Sequence, residues 1–197
     1  MDLLLATTNP GKIAEMRLLV AGTGVNVRSL SELGIHSVFS EGGNSFEENA
    51  KTKALYYSRL CVLPTVAEDS GLVVDALHGR PGVYSARYAG PRSPSEENIA
   101  RLLHEMKDVS DRRAAFVSVI ALSWQGELLK TFCGEAAGEI TRDRHGSGGF
   151  GYDPVFYFPP LAKTFAEISV EDKNRFSHRA QAVGQLISYL REKKFFP

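Results

Sequence analysis

The chain has 197 residues, and its 23 basic and 23 acidic side chains give a formal net charge of zero at pH 7. This length suffices for one large domain or for two intimately packed lobes with a substantial core. No block of basic residues stands out, so the sequence lacks the electrostatic footprint of a nucleic-acid-binding protein, although small charged ligands remain possible. No apolar segment approaches the length that crosses a bilayer, so we expect no membrane partner.

Two further features bear on the cellular compartment. The first apolar run, at residues 3–5, is too short for the core of a signal peptide, so we expect no secretory leader. Cys61 and Cys133 stand in apolar surroundings and lack the spacing of a metal site. We interpret both as reduced core residues, which is typical of a cytoplasmic protein.

The segment LLLATTNPGK at residues 3–12 predicts a strand that leads directly into a helix. Asn9 is a good N-cap, and Pro10 suits the first helical position because its missing N–H has no partner there. The loop is not a P-loop, since Ala6 and Ile13 stand where that signature needs glycine and a hydroxyl residue. First-turn N–H groups beside Lys12 would still bind an anion. An ordinary capped helix with a solvated lysine is the alternative.

The elements that follow predict an α/β fold with a mixed sheet, because strands and helices alternate before a hairpin. In chain order they are a strand around Val25–Val27, a helix begun by a capping box at 45–48, a buried strand at 62–67, a helix begun by a second capping box at 93–96, a hairpin of 114–124 and 127–133 that turns at Gln125-Gly126, and a last helix that starts near Ser177.

Two carboxylates end the strand predicted at 62–67. On an extended strand Glu68 and Asp69 would point to opposite faces, but a turn through Ser70-Gly71 would bring both toward one site. With Glu41, in the turn before the next helix upstream, they offer the oxygen ligands that Mg²⁺ prefers. The alternative is surface charge at a loop, where most acidic residues lie.

The stretch RHGSGGFGYDP at residues 144–154 contains a G-x-G-x-x-G match to the dinucleotide fingerprint. We reject a Rossmann site, because no apolar strand precedes the match and Asp153-Pro154 stands where the helix should open. Glycines around Phe150 and Tyr152 would let the backbone approach a flat ligand that an aromatic ring covers. The alternative is a loop that turns a corner, with Phe150 anchored in the core.

A third cluster, at Lys173, Ser177, His178 and Arg179, surrounds the start of the last helix. Cations are unusual there, because the helix dipole favours them at the other end. Either an acidic neighbour or a ligand with acceptor atoms must therefore compensate. The alternative is a solvated first turn.

Six ordered motifs resemble those of the inosine triphosphate pyrophosphatase family, the house-cleaning XTP/dITP diphosphatases. They are ATTNPGK at 6–12, SFEENAKTKA at 45–54, AEDSGL at 67–72, GRPGVYSARYAG at 79–90, GGFGYDPVF at 148–156 and EDKNRFSHRAQA at 171–182. The resemblance implies an elongated α/β protein with a mixed central sheet, helices on both sides, and two lobes that flank a long active-site cleft. It also implies one catalytic domain over residues 1–197 and a cytoplasmic homodimer.

The activity implied by the resemblance is Mg²⁺-dependent hydrolysis of ITP, dITP and XTP to the nucleoside monophosphate and pyrophosphate. The residues implied to bind the phosphates are Thr7, Thr8, Asn9, Pro10, Gly11, Lys12 and Lys53, and Ser70 is implied to lie on the substrate. The implied nucleobase pocket consists of Phe150, Gly151, Tyr152, Asp153, Lys173, His178 and Arg179.

By the same resemblance, Asp69 activates the attacking water and, with Glu41 and Glu68, places the metal. Many relatives carry glycine at the position of Thr8 and aspartate at that of Glu68, which leaves the metal role of Glu68 open. We further expect Arg179 to recognise the 6-keto group of inosine and xanthine, because arginine only donates hydrogen bonds and adenine presents a donor there.

Two alternatives stay open. One is a related pyrophosphatase that acts on pyrimidine or modified nucleotides. The other is a nucleotide-binding module without catalytic activity, which the carboxylate set disfavours because a pure binder has little use for Asp69 beside a metal.

Overall fold

A computed structural model describes residues 1–40 and 42–195 of the chain. The helices and strands are β1 (Asp2–Leu5), α1 (Pro10–Val20), β2 (Asn26–Ser29), α2 (Phe46–Ser58), β3 (Thr65–Val74), α3 (Ser95–Glu105), β4 (Arg113–Trp124), β5 (Glu127–Ile140), β6 (Phe156–Phe158), β7 (Lys163–Thr164), α4 (Val170–Phe176) and α5 (His178–Glu192).

The seven strands form one sheet in the order β2-β1-β3-β4-β5-β6-β7. β1 pairs in parallel with both β2 and β3, whereas β6 pairs antiparallel with β5 and with β7. The sheet is therefore mixed, which confirms the predicted α/β class.

The chain divides into two compact units. The first comprises Met1–Asp69, Ser118–Gly134 and Arg179–Pro197, and the second comprises Ser70–Val117 and Glu135–His178. Each has its own hydrophobic core. The core of the first unit contains residues of β1, α1 and α5, and that of the second is rich in aromatic side chains, among them Phe116, Phe156 and Phe165.

Local signals in the sequence located several elements well. Asn9 caps α1 by accepting a hydrogen bond from the N–H of Lys12, and Pro10 is the first helical residue. The β4–β5 hairpin turns at Gln125 and Gly126, whose φ angles of 53° and 82° give the two-residue turn that fits the twist of the strands. β5 continues to Ile140, beyond the predicted end at residue 133.

The two predicted capping boxes differ in outcome. Ser45 caps α2 through the N–H of Glu48, as expected, but the Glu48 carboxylate accepts from the N–H of Asn44 rather than from that of Ser45. The second box is wrong: α3 begins at Ser95 with Pro94 at the N-cap and no side-chain capping bond.

The expectation that both cysteines are core residues is wrong. Cys61 is half-buried, and Cys133 is exposed. Cys133 lies on β5, where buried and exposed side chains alternate, and it falls on the outward face beside buried Phe132. In residues 1–40 and 42–195, no helix combines the length and apolar character that a membrane span requires.

Candidate active site

The loop between β1 and α1 has the geometry expected of a capped helix start. Thr7 Oγ1 accepts a hydrogen bond from the N–H of Asn9 over 3.2 Å, and Asn9 Oδ1 accepts from the N–H of Lys12 over 3.1 Å. These bonds fix the turn that contains Thr8, Pro10 and Gly11 at the start of α1, where the first N–H groups of a helix have no partner within the helix. The dipole of α1 adds positive potential at the same place.

Two lysines of the predicted phosphate site lie in the first unit. Lys53, on α2, is buried, and Lys12 is half-buried at the start of α1. Loss of solvent around its ammonium lowers the pKa of Lys12, Arg179 and Lys53 add to the effect, and Glu68 and Asp69 oppose it. A polyanionic ligand beside this ammonium would favour its charged form.

A pocket of about 460 Å³ lies beside this loop in the first unit. Thr7, Thr8 and Lys53 contribute to its wall, and the segment from Ser29 to Phe39 provides most of the remainder. The volume falls within the range of sites that hold small molecules. The structure therefore brings these three predicted phosphate-binding residues to one cavity.

β3 does not end at Glu68, as predicted, but runs on through Asp69, Ser70 and Gly71 to Val74. The predicted turn at Ser70-Gly71 is therefore wrong, although serine and glycine are typical of turns, because the pairing within the sheet overrides that local preference. On a continuous strand, neighbouring side chains point to opposite faces. Glu68 and Asp69 accordingly have different partners.

The Glu68 carboxylate is fully buried and accepts hydrogen bonds from Arg179 and Ser118. Arg179 Nε donates over 2.9 and 3.0 Å to the two oxygens, Arg179 Nη2 lies 2.8 Å from Oε1, and Ser118 Oγ donates over 2.9 Å. A metal ion at Glu68 would have to compete with these donors.

Arg179 also forms an ion pair with Glu15 of α1. Burial of its guanidinium acts to lower its pKa, but the charges of Glu68 and Glu15 outweigh this and raise the pKa above its ordinary value. Arg179 is 1% exposed and stays charged. The unusual cation at the start of α5 is thus compensated by acidic neighbours, which is one of the two solutions expected from the sequence.

Asp69 points to the other side of β3. Its Oδ2 accepts a hydrogen bond from Nδ2 of Asn49 on α2 over 2.9 Å. Asp69 is buried, and its charge, like the larger contribution of Glu68, acts to raise the pKa of Lys12. Glu41, the other predicted metal ligand, lies outside the described residues.

The described carboxylates do not form a complete metal site by themselves. Among residues 1–40 and 42–195, no group of three or more His, Cys, Asp or Glu side chains is arranged to hold a metal. Mg²⁺, however, usually binds through one or two carboxylates together with waters and substrate phosphates. Asp69 supplies one such buried carboxylate in the first unit, so the donor set is compatible with Mg²⁺.

The predicted nucleobase residues lie in the second unit, except Arg179. Asp153 Oδ2 accepts hydrogen bonds from Lys173 Nζ over 2.6 Å and from the N–H of Phe150 over 2.9 Å. The Lys173 ammonium lies 4.9 Å from the ring centre of Phe150. Gly149 makes this arrangement possible, since its φ is +70° and a Cβ there would collide with Asp153 Oδ2.

Phe150 is 36% exposed and does not belong to the core of the second unit, so the alternative that it anchors the loop in the core is wrong. Tyr152 differs, because its ring belongs to the core of the second unit and its hydroxyl donates to the Ser85 carbonyl over 2.9 Å. Burial raises the pKa of Tyr152. Gly151, between them, has a φ of +63°, a backbone conformation that favours glycine.

His178 and Ser70 complete the predicted set in the second unit. The His178 ring is buried and stacks on Phe116, with ring centres 4.9 Å apart and planes 12° from parallel. Ser70 is half-buried on β3, directly after Asp69.

Four polar residues of these clusters are not predicted from the sequence: Glu15, Asn49, Ser85 and Ser118. The sequence offers a signal for Asn49. It lies one helical turn from Lys53 on the buried face of α2, and a polar residue inside an apolar stripe needs a hydrogen-bond partner. Glu15 stands beside Met16 in α1 without any comparable signal.

A model of the Ham1 family matches residues 3–189. The chain is 47% identical over 189 residues to the dITP/XTP pyrophosphatase of Staphylococcus epidermidis, and the match covers 96% of each chain. It is 46% identical over 192 residues to the dITP/XTP pyrophosphatase of Pectobacterium atrosepticum, with 95% of this chain and 97% of that one covered.

Solved structures agree with these matches. The Ham1 protein of Staphylococcus aureus superposes with a TM-score of 0.88 at 41% identity, over 98% of this chain and 100% of that one. A HAM1 protein of Coxiella burnetii gives a TM-score of 0.88 at 39% identity, over 98% and 99% of the two chains. The family resemblance noted in the sequence is thereby confirmed, and the chain belongs to the Ham1 family.

Proposed function

We propose that this protein hydrolyses the non-canonical purine nucleoside triphosphates dITP, XTP and ITP to the monophosphate and pyrophosphate. The relatives named dITP/XTP pyrophosphatase support this proposal, since they match nearly the whole chain. The observation that carries it is that the first unit contains two groups: the side chains of Lys53, Thr7 and Thr8 on the wall of one cavity beside the capped start of α1, and the buried carboxylate of Asp69. A polyphosphate and the water that attacks it need these two groups together.

We assign the phosphates to residues of the first unit. The turn from Thr7 to Gly11 offers N–H and hydroxyl donors, and Lys12 and Lys53 offer positive charge. Charged donors matter most here, because negative charge on the phosphoryl oxygens repels an incoming nucleophile.

Asp69 is the proposed base. It accepts a proton from water, the water oxygen forms a bond to the α-phosphorus, and the bond from that phosphorus to the bridging oxygen breaks. The electron pair of that bond leaves with pyrophosphate. We propose Mg²⁺ as the cofactor, placed by Asp69 with Glu41; when bound, it would supply further neutralisation of the phosphate charge. Glu68 is better explained as the partner of Arg179, given its buried ion pair.

We assign the nucleobase to residues of the second unit. Phe150 supplies an exposed aromatic face, and Lys173 supplies an ammonium that Asp153 holds beside that ring. Gly151, Tyr152 and His178 are the other residues that we assign to this pocket, and Ser70 stays assigned to the substrate. Recognition of the 6-keto group by Arg179 stays a prediction. The guanidinium of Arg179 pairs with Glu15 and Glu68, so the keto oxygen of the base would have to compete with these carboxylates.

The deciding experiment measures pyrophosphate release by the purified protein from ITP, XTP and dITP, with ATP and dUTP as comparison substrates, in the presence and absence of Mg²⁺. We expect Mg²⁺-dependent release that favours the three non-canonical purines. Faster release from dUTP would support the related pyrophosphatase of pyrimidine nucleotides. Binding of ITP without release would support the catalytically silent module.

The homodimer and the cytoplasmic location implied by the family resemblance belong to the same proposal. A mass of about twice the 21.6 kDa of the chain, measured by light scattering, would support the dimer. Cell fractionation tests the location.

A further inference from the structure

Asn49, a residue of α2, links two parts of the first unit. Its side chain is 1% exposed. Asn49 Nδ2 donates a hydrogen bond to Asp69 Oδ2 over 2.9 Å, and Asn49 Oδ1 accepts one from the N–H of Gly43 over 2.8 Å. A single amide therefore connects the proposed base with the backbone of the segment that precedes α2.

The two partners determine how the amide is oriented. A backbone N–H only donates, so the N–H of Gly43 must face the oxygen of the amide. An ionised carboxylate only accepts, so Asp69 must face the NH₂ group. The opposite orientation would place donor against donor at Gly43 and acceptor against acceptor at Asp69, in a buried position where unpaired polar groups are expensive.

The close approach at residue 43 requires glycine. A Cβ there would lie 2.6 Å from Asn49 Oδ1 and 3.0 Å from Glu48 Cγ. A larger residue would therefore push the amide of Asn49 away from its present position. The backbone at 43 and the orientation of the amide depend on each other.

We propose that Asn49 is a positioning residue for the hydrolytic step, which orients the carboxylate of Asp69. The bond to Oδ2 restricts rotation of the carboxylate, so Oδ1 keeps one direction. The inference rests on the proposed role of Asp69. Groups that orient a reacting or metal-binding carboxylate typically contribute 10- to 100-fold to activity.

Two substitutions separate the two bonds of Asn49. Asn49→Asp keeps an oxygen for the N–H of Gly43 but places a carboxylate oxygen against Asp69. Asn49→Ala removes both bonds. We expect kcat for ITP to fall about 10- to 100-fold in Asn49→Asp. This loss of kcat should be at least as large as the loss in Asn49→Ala. KM for ITP should change little, because the loop from Thr7 to Lys12 and the residues around Phe150 are not altered.

Asn98 provides a matched control. It is also buried on a helix, and its Oδ1 accepts from the N–H of Ala89 over 2.7 Å, but it lies in the second unit and bonds to backbone groups there. Asn98→Asp should leave kcat near that of the wild type. Thermal unfolding of every variant ensures that activity is compared among folded proteins.

The outcomes are distinct. Wild-type kcat in Asn49→Asp overturns the inference, whatever Asn49→Ala does, because the bond to Asp69 would then be dispensable. If Asn49→Asp does not fold, Gly43→Ala replaces it as the test, since a Cβ at residue 43 displaces the same amide. A lower kcat with unchanged KM in Gly43→Ala supports the inference, and wild-type kcat overturns it. Full activity in Asp69→Asn overturns the role of Asp69 as the base, and the inference with it, but leaves the proposed hydrolysis standing. No pyrophosphate release by the wild type overturns the proposed function itself. An inactive Asp69→Asn beside a fully active Asn49→Asp overturns only the role of Asn49.

Discussion

Both units contain a buried cation that is paired with carboxylate, but the two pairs are built differently. In the second unit one ammonium, that of Lys173, meets one carboxylate, that of Asp153, and lies 4.9 Å from the ring centre of Phe150. In the first unit the guanidinium of Arg179 serves two carboxylates, those of Glu15 and Glu68. The planar fork of arginine suits two partners at once, whereas an ammonium acts as a compact point charge.

The difference separates two uses of a buried charge. Arg179 is enclosed by acidic groups and belongs to the packing of the first unit. Lys173 is also buried, but it lies against an aromatic ring that is 36% exposed, so its charge would act on a ligand through that ring. We therefore expect changes at Arg179 to reduce mainly stability. Changes at Lys173, which also remove the cation of a buried carboxylate, should reduce both stability and nucleotide binding.

The largest effect is expected for Asp69→Asn, which tests whether the first unit contains the base of the hydrolytic step. Loss of a general base typically lowers the rate by about 10²- to 10⁴-fold. The measurement is kcat for pyrophosphate release from ITP. Asp75→Asn, at an exposed aspartate just after β3, is the control and should be fully active. A folded Asp69→Asn protein with undiminished kcat would contradict the assignment.

Arg179→Met should give the largest loss of stability. It leaves Glu15 and Glu68 buried without their cation, and breaking a buried ion pair in this way typically lowers the free energy of unfolding by about 3–5 kcal/mol. Arg17→Met is the matched control, since Arg17 pairs with Glu32 over 2.7 Å at the surface. An exposed pair contributes only about 0–1 kcal/mol.

Urea unfolding of both variants measures the difference. Equal losses would mean that burial does not distinguish the two arginines. The ratio of ITP to ATP turnover in folded Arg179→Met protein also tests keto recognition: a lower ratio, chiefly through slower ITP turnover, would support Arg179 as the reader, and an unchanged ratio would exclude that role.

Lys12→Ala and Lys173→Met should weaken binding in different ways. A charge-assisted hydrogen bond contributes roughly 1.5–3 kcal/mol. For Lys12→Ala we expect that loss for ITP and little for IMP, because Lys12 is assigned to the phosphate chain. For Lys173→Met we expect similar losses for ITP and IMP, since both carry the base.

Calorimetric titration of ITP and IMP into the two variants provides the comparison, with Lys163→Met as a surface control. Equal weakening of ITP and IMP by Lys12→Ala would show that Lys12 does not contact the phosphate tail.

The smallest effect concerns pH. Because the pKa of Lys12 is lowered from 10.5, affinity for ITP should be full below the folded pKa and decline as the pH rises through it, before an ordinary lysine would titrate. The ligand-free protein should show the opposite trend. Between the two pKa values the unfolded chain holds the proton that the folded chain has lost, so the free energy of unfolding rises with pH.

Arginine stays charged throughout this range. Lys12→Arg should therefore shift the decline in ITP affinity to higher pH, measured from pH 7 upward at constant ionic strength. An alkaline limb that is identical in both proteins would mean that another group causes it.

Features that depend on neighbouring residues were predictable from the sequence. The strand that leads into α1, the Asn9 cap, the Pro10 start, the turn at Gln125-Gly126 and the start of α5 all occur as expected. Caps and tight turns are decided by hydrogen bonds and φ preferences within a few residues, so the local sequence contains the information they need. The six motifs were likewise sufficient to identify the family.

Tertiary structure decided which side chains meet. β3 continues through Asp69-Ser70-Gly71 because neighbouring strands pair with it, and this continuation sends Glu68 and Asp69 to opposite faces. Arg179 finds Glu68 across 111 residues and Glu15 across 164 residues of sequence. A buried charge needs a partner, but only the packing of α1, β3 and α5 determines which of the 23 acidic residues supplies it.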